Sequence, residues 1–503
     1  MIRSALFFLL LILISQLFSL AVSEDFSQLA HKFVESPESR ARFAQGEDSC
    51  RNIEGDEATC EWCSNSFAEQ YSLSVEDFQH SFFEGNPCLW KELTRKLDAG
   101  EDIQIGVIGG SMTAGVDCYF PREQCAWPVK LEQMFNSSKV TVHNYAIGGA
   151  NYDHYLANGD LQHIECDLML VDLAVNAQSY QRNEGWLQNR VDTVIFDILK
   201  AHPQRPLLWV TTYRAVPFDR NFNQPDEIGE MSYEVNGELK KYYWLWYSVK
   251  IKDYEQLITS HYDIPVASYR DAVWRGARVN GSMHTFAEPR ENQACFFNAN
   301  YHPSSATHIL VADVVYYAIH GMLDKARRQQ QQLGGCEVER KPLHPEIALA
   351  HLCSEMGFVT HMTSEQKDNN NTAFQPAAVT SDWKFGEDKK GKPGWIIDLN
   401  GSPYVENNIT FRVEIGQGRR LETTYLKSHT NIGAANAVLK TTEGVVVGDF
   451  WIQAWERGGH VSIPVTTQYM LDAKFSPGLY TVTYSLSEKS EYFKFKLISI
   501  STC

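Results

Sequence analysis

The sequence predicts an α/β domain, a parallel sheet flanked by helices, followed by a separate all-β sandwich at the carboxyl end. Two observations carry this. Short continuous apolar runs alternate with helical stretches over residues 101 to 328, the signature of strands buried on both faces. Beyond about residue 380 the period changes to two: Ile409, Phe411, Val413 and Ile415 alternate with Thr410, Arg412 and Glu414, and Phe493, Phe495 and Leu497 with Lys494 and Lys496.

In order, strands are expected at Ile103 to Ile108, Val140 to Ile147, Leu168 to Val175, Leu207 to Thr212 and Ile264 to Ser268. Helices are expected at Trp127 to Phe135, Trp186 to Ala201, Tyr242 to Ser260 and Ser304 to Arg328, with Ser304 as the N-cap of the last. The basic, Gln-rich stretch from Arg327 to Gln332, followed by Gly334 and Gly335, reads as the start of a linker. Later turn residues such as Pro477 and Gly478, with no long helix, fit the sandwich. The expected organisation is a signal peptide over 1–23, a Cys-rich amino-terminal region over 24–100, the α/β domain over 101–328, a linker and irregular region over 329–380, and the sandwich over 381–503.

The leader begins with Met1-Ile2-Arg3, continues as an apolar run from Ala5 to Ala21 and reaches small residues before Glu24, which predicts cleavage near Ser23 and a secreted or endomembrane-lumenal protein. An uncleaved anchor is the alternative. No later apolar run is long enough for a membrane helix. With 45 Lys and Arg against 62 Asp and Glu, the net charge of −17 has the wrong sign for a nucleic-acid binder. All 11 cysteines follow the leader, so an oxidising compartment favours structural disulfides, including at Cys60-Glu-Trp-Cys63, and the odd count leaves a thiol over. Sequons at Asn136, Asn280, Asn370 and Asn408 suggest a glycoprotein. No cluster has metal-ligand spacing, so neither metal nor organic cofactor is expected.

Chemistry gathers at the carboxyl ends of the strands, where such sheets hold ligands. The first strand runs into Gly109-Gly110-Ser111-Met112-Thr113-Ala114-Gly115, which has neither the Gly-Lys of a phosphate loop nor dinucleotide spacing. It lifts a serine on a tight turn ahead of an expected helix. The second strand ends in Gly148-Gly149-Ala150-Asn151, the third in Asp172-Leu-Ala-Val-Asn176, and Tyr301-His302-Pro303-Ser304 enters the last helix. Singly, each has a structural reading: a capping serine, a turn glycine, a turn asparagine and a solvated histidine.

Together and in this order the four segments resemble the SGNH hydrolase superfamily, which includes the GDSL esterases and lipases. The resemblance covers about residues 101 to 325 and implies a flavodoxin-like three-layer domain. It implies a serine esterase in which Ser111 is the nucleophile and His302 the base, with an oxyanion hole from the Ser111 and Gly149 amides and the Asn176 side chain. An acetylated glycan or another small ester is the implied substrate. The first segment reads Gly-Gly-Ser in place of Gly-Asp-Ser. The family's acid, three residues before the histidine, is here Ala299. A Ser-His dyad oriented by Asn298, Asn300 or a backbone carbonyl is the preferred reading; an acid from elsewhere, Glu291 being the nearest upstream, or a loss of activity are the others. A glycan O-acyltransferase and a non-catalytic glycan-binding protein remain as alternatives. The aromatic-rich stretch from Tyr213 to Tyr243 is a candidate pocket cover.

Overall fold

The computed structural model describes residues 73–116, 122–158, 161, 163–176, 184–212, 228–235, 238–245, 255–272, 297–298, 302–303, 305–329, 359–362, 376–388, 392–399, 407–455 and 462–503. The leader and Cys60-Cys63 lie outside these. Among the described residues no helix is long and apolar enough to cross a membrane. The chain forms two compact units, the first from 1–146, 166–175 and 205–338, the second from 147–165, 176–204 and 339–503.

The first unit is built on a six-stranded sheet from β1 (Phe82–Phe83), β2 (Ile103–Gly109), β3 (Val140–Asn144), β4 (Leu168–Asp172), β5 (Leu207–Thr211) and, after a hairpin, β8 (Val266–Ser268). The spatial order is β1-β8-β5-β4-β2-β3. Five strands are parallel, and the edge strand β1, from the segment ahead of the expected domain, joins β8 antiparallel. The parallel strands therefore run 2-1-3-4-5 in chain order, so the winding reverses at β2, between β3 and β4. That reversal opens the crevice where ligands bind in such folds.

Helices α1 (Val75–Ser81), α2 (Trp90–Asp98), α4 (Trp127–Phe135) and α7 (Ser305–Gln329) belong to this unit, as does the short α3 (Arg122–Cys125). α1 starts on a capping box in which the Ser74 hydroxyl and Asp77 carboxylate satisfy each other's amides. α4 starts with Pro128 in its first turn, where a missing N–H costs nothing, and ends at Asn136 in the left-handed region. Leu310, Val311, Val314, Val315, Ala318 and Met322 of α7 share one core with Ile103, Ile105, Leu168, Leu170 and Leu208 of the sheet, closed by Trp90, Trp127 and Leu131. Ser304 lies outside the described residues.

The expected helix at Tyr242 to Ser260 is corrected in its first part. β6 (Ile228–Val235) and β7 (Glu238–Leu245) pair as an antiparallel hairpin, and among the described residues that follow, helix covers 255–261. Asn236-Gly237, between the strands, is a favoured hairpin dipeptide.

The second unit contains two antiparallel sheets. The larger has the order β13-β14-β21-β16-β19, with β11 (Val359–Met362) on β21; its strands are β13 (Trp383–Glu387), β14 (Pro393–Asp398), β16 (Arg420–Lys427), β19 (Ile463–Met470) and β21 (Lys494–Thr502). The smaller runs β12-β15-β20-β17-β18, from Ala378–Val379, Asn408–Ile415, Gly478–Leu486, Ala434–Thr441 and Val446–Gln453. Alternate residues meet in one core, where Phe495 lies 5.9 Å from Tyr425 and 6.4 Å from Trp383.

On the other face of the larger sheet, polar residues are buried as well: Arg420, Glu422, Thr424, Lys496, Ser499 and Ser501. Helices α5 (Tyr152–Asn158) and α6 (Glu184–Ala201), from the two chain segments that flank β4, belong to this unit and supply matching charge. Arg190 of α6 forms ion pairs with Asp153 of α5 and Glu422 of β16, each at 3.0 Å, and Glu422 also meets Arg420. Burial alone pushes the Glu422 carboxyl up, but the two guanidinium groups hold it below its ordinary range.

Truncating Phe495, which is fully buried, leaves a cavity between the sheets. Phe495→Ala is expected to cost about 3–5 kcal/mol in a urea-unfolding measurement.

Candidate functional site

Ser111 stands directly beyond β2, at the reversal of strand order, and is 8% exposed. Tight turns follow it where a helix was expected: the amides of Ala114, Gly115 and Val116 donate to the carbonyls of Gly110, Met112 and Ser111 at 2.9, 3.1 and 3.0 Å. Both neighbouring strands tether this turn. The Thr113 hydroxyl donates to the Asp172 carboxylate at the end of β4 (2.6 Å), and Asn144, the last residue of β3, donates its side-chain amide to the Thr113 carbonyl (2.9 Å). Gly109 is needed for this arrangement, since a β-carbon there would fall 2.2 Å from the Thr113 hydroxyl.

Asp172 also accepts from the Thr212 hydroxyl at the end of β5 (2.7 Å). One carboxylate thus ties together the ends of β2, β4 and β5. Burial raises its pKa, against the lowering effect of the Thr113 and Thr212 hydrogen bonds. Sequence reasoning gave Asp172 no role, although a carboxylate ending an otherwise apolar buried strand is a usable signal.

His302 is half-buried in the first unit and belongs to a two-residue strand, β10 (His302–Pro303), paired antiparallel with β9 (Phe297–Asn298) so that His302 faces Asn298 in register. The register sets Asn298, one of the two expected asparagines, opposite His302 on the neighbouring strand. Asn300, Glu291 and Ala299 lie outside the described residues. Nearby on α7, His308 is fully buried and accepts from the Trp127 amide through Nδ1 (3.2 Å). Burial first, then the charges of His302 and Lys130, pull its pKa down to about 3, so it stays neutral.

Gly149 and Asn176 belong to the second unit. Gly149 adopts φ +76°, a left-handed conformation that favours glycine. A β-carbon there would lie 3.0 Å from the Ser462 carbonyl oxygen and 3.2 Å from Lys392 Nζ. Asn176 closes a short turn after β4, is buried, and donates its side-chain amide to the Ala150 carbonyl (2.8 Å). The loops that carry the two expected oxyanion donors are therefore tied to each other. Because an amide nitrogen carries two hydrogens, Asn176 keeps a second donor.

No protein-family model and no curated protein matches the chain. Solved structures do. A two-domain esterase active on acetylated mannans, co-crystallised with mannopentaose, superposes with a TM-score of 0.55 at 17% identity, covering 84% of this chain and 97% of that one. A second structure of a two-domain esterase active on acetylated mannans gives the same TM-score and identity, covering 84% and 98%. The fold is thus that of these two-domain structures, an α/β domain with a β-sandwich.

Two measurements test these anchors. Raised in the fold, the Asp172 pKa makes the folded state hold a proton that the unfolded chain releases above about pH 4. This group's contribution to stability therefore falls as pH rises from there to the folded-state value. In urea unfolding, Asp172→Asn is expected to remove that slope, so the difference in stability shifts towards the variant with rising pH. Gly149→Ala is expected to lose about 1–2 kcal/mol through the left-handed backbone alone, read as a lower melting temperature.

Proposed function

We propose that the protein is a serine-dependent ester hydrolase of SGNH type whose substrate is an acetylated glycan. The single observation that carries this is the Ser111 turn, set at the reversal of strand order and tethered by Asp172 and Asn144. The shared two-domain fold of an esterase active on acetylated mannans supports the substrate class.

In this reading Ser111 Oγ attacks the ester carbonyl while His302 takes the hydroxyl proton. The tetrahedral oxyanion is held by the amides of Ser111 and Gly149 and by Asn176. Collapse releases the glycan hydroxyl, which receives the proton from His302, and leaves an acyl group on Ser111. Water, deprotonated by His302, then hydrolyses the acyl-enzyme. With Ala299 in the usual acid position, His302 and Ser111 act as a dyad whose imidazole is oriented from the Asn298 strand. We further infer a secreted glycoprotein with structural disulfides, supported by the apolar leader, by the exposed sequon Asn136 and by the disulfide-bonded state of Cys88, Cys125 and Cys503.

Fluorophosphonate labelling of the purified protein, followed by acetate release from acetylated mannan, tests the reading. Wild type is expected to label and to release acetate. Ser111→Ala and His302→Ala should lose both, by about 10³-fold or more in kcat, and Glu291→Gln should match wild type. Well-folded wild type that neither labels nor releases acetate would refute the proposal, and a Glu291→Gln as inactive as His302→Ala would refute the dyad. Acetate that appears on an added sugar acceptor rather than in solution would make the enzyme an acyltransferase.

A further inference from the structure

We propose that Lys392, carried by the β-sandwich, is a positioning residue for the acyl transfer, its ammonium set behind the Gly149 turn to favour negative charge on the oxyanion held there. The inference rests on the hydrolase reading above. Its starting point is a close approach within the second unit: Lys392 Nζ fills the space that a side chain at residue 149 would need, 3.2 Å from a β-carbon at Gly149. Glycine at 149 therefore serves two purposes, the left-handed backbone and access for a cation.

The placement of that cation is built from both sides. On the sandwich side, the Lys392 backbone carbonyl accepts from Lys496 Nζ (2.7 Å), and Lys496, itself paired with Asp388, is only 1% exposed. The next residue, Pro393, begins β14, which limits the backbone freedom of the turn. On the loop side, Asn151 donates its side-chain amide to the Pro464 carbonyl (2.9 Å), and the Thr466 amide donates to Asp153 (3.2 Å). Asp153 in turn is held by the buried Arg190–Glu422 pair. The Gly149 turn and the base of the lysine are thus both fixed to the same sheet, so their separation is set by β-structure rather than by a mobile side chain alone.

Chemistry gives this cation a purpose. A buried histidine, His154, lies in the same field: burial first, then the charges of Lys392 and Lys496, hold its pKa down to about 3, so it stays neutral and adds no competing charge. A developing oxyanion gains most from positive potential that is already in place and need not reorganise. Lys392 acts through the Gly149 turn rather than on the reacting atoms, so its effect belongs in kcat and not in ground-state binding.

The test is steady-state hydrolysis of p-nitrophenyl acetate by wild type, Ser111→Ala, Lys392→Met and Lys392→Arg, with melting temperature as the control for folding. Lys392→Met is expected to lower kcat about tenfold with KM within about twofold and an unchanged melting temperature; Lys392→Arg should restore most of the loss. Turnover that depends on Ser111 but is indifferent to Lys392→Met overturns this inference alone. A loss that Lys392→Arg does not restore, or one that tracks a fall in melting temperature, also overturns it, by making the residue structural. Wild type no more active than Ser111→Ala overturns the hydrolase reading, and the inference with it.

Discussion

Arg190 is a guanidinium removed almost entirely from water, and much of the second unit follows from how its charge is met. An unpaired ion at such a site would be prohibitive, so a carboxylate must reach it from each side. Asp153 does so from α5 and Glu422 from the sandwich. Two segments separated in the chain by all of β4 are thereby fastened to one face of a sheet whose strand β16 comes more than two hundred residues later. The pairing is demanding in geometry, because removing any one member would leave the others charged and dry. That demand fixes α5, and with it the turn from Ile147 to Asn151 immediately before it.

The first unit solves the same problem of holding a loop with a single acid. Asp172 lies at the end of the central strand and accepts hydroxyl hydrogen bonds from residues following both β2 and β5. Neutral donors suffice here because the carboxyl is pushed towards its protonated form by burial. Asn144 completes the tether from β3. The result is a serine turn, with residues 111–116 in tight turns, held by its two neighbouring strands, so the rigidity of Ser111 comes from the sheet.

How much of this the sequence disclosed depends on how local the cause is. The five parallel strands were legible because each is a short, largely apolar run set between helical stretches. α4 was legible as a helical stretch between two apolar runs, with the bounds Trp127–Phe135 that the structure gives it. The hairpin over residues 228–245 was missed because the aromatics from Tyr242 to Trp246 suit a helix as well as a strand; Asn236-Gly237 was the signal that separates the two. Alternation from Phe493 to Leu497, in β21, was read as a half-buried strand, but its polar face is buried too, Lys496 included, since the helices on that face of the sheet come from elsewhere in the chain. Ser111, Gly149, Asn176 and His302 announced themselves as strand-end or loop residues in a recognisable order. Asp172, Arg190 and Lys392 did not, because a charge takes its meaning from partners that spacing does not reveal.

The residues proposed for acyl transfer are divided between two independently anchored bodies, Ser111 and His302 in one, Gly149 and Asn176 in the other. Preorganisation is demanding in such a case, since donors aimed at an oxyanion lose their advantage when displaced by a fraction of an ångström. Each pair must therefore be stiff within its own body before any question of joint geometry arises. The anchors meet that condition in different ways: hydroxyls on one buried acid for the Ser111 turn, and ion pairs on a polar sheet face for the Gly149 loop. A sandwich that holds this loop and brings a lysine behind it has a reason to be present that does not depend on binding sugar. Its buried polar face, costly to desolvate unless paired, is where α5, α6 and that loop are fastened.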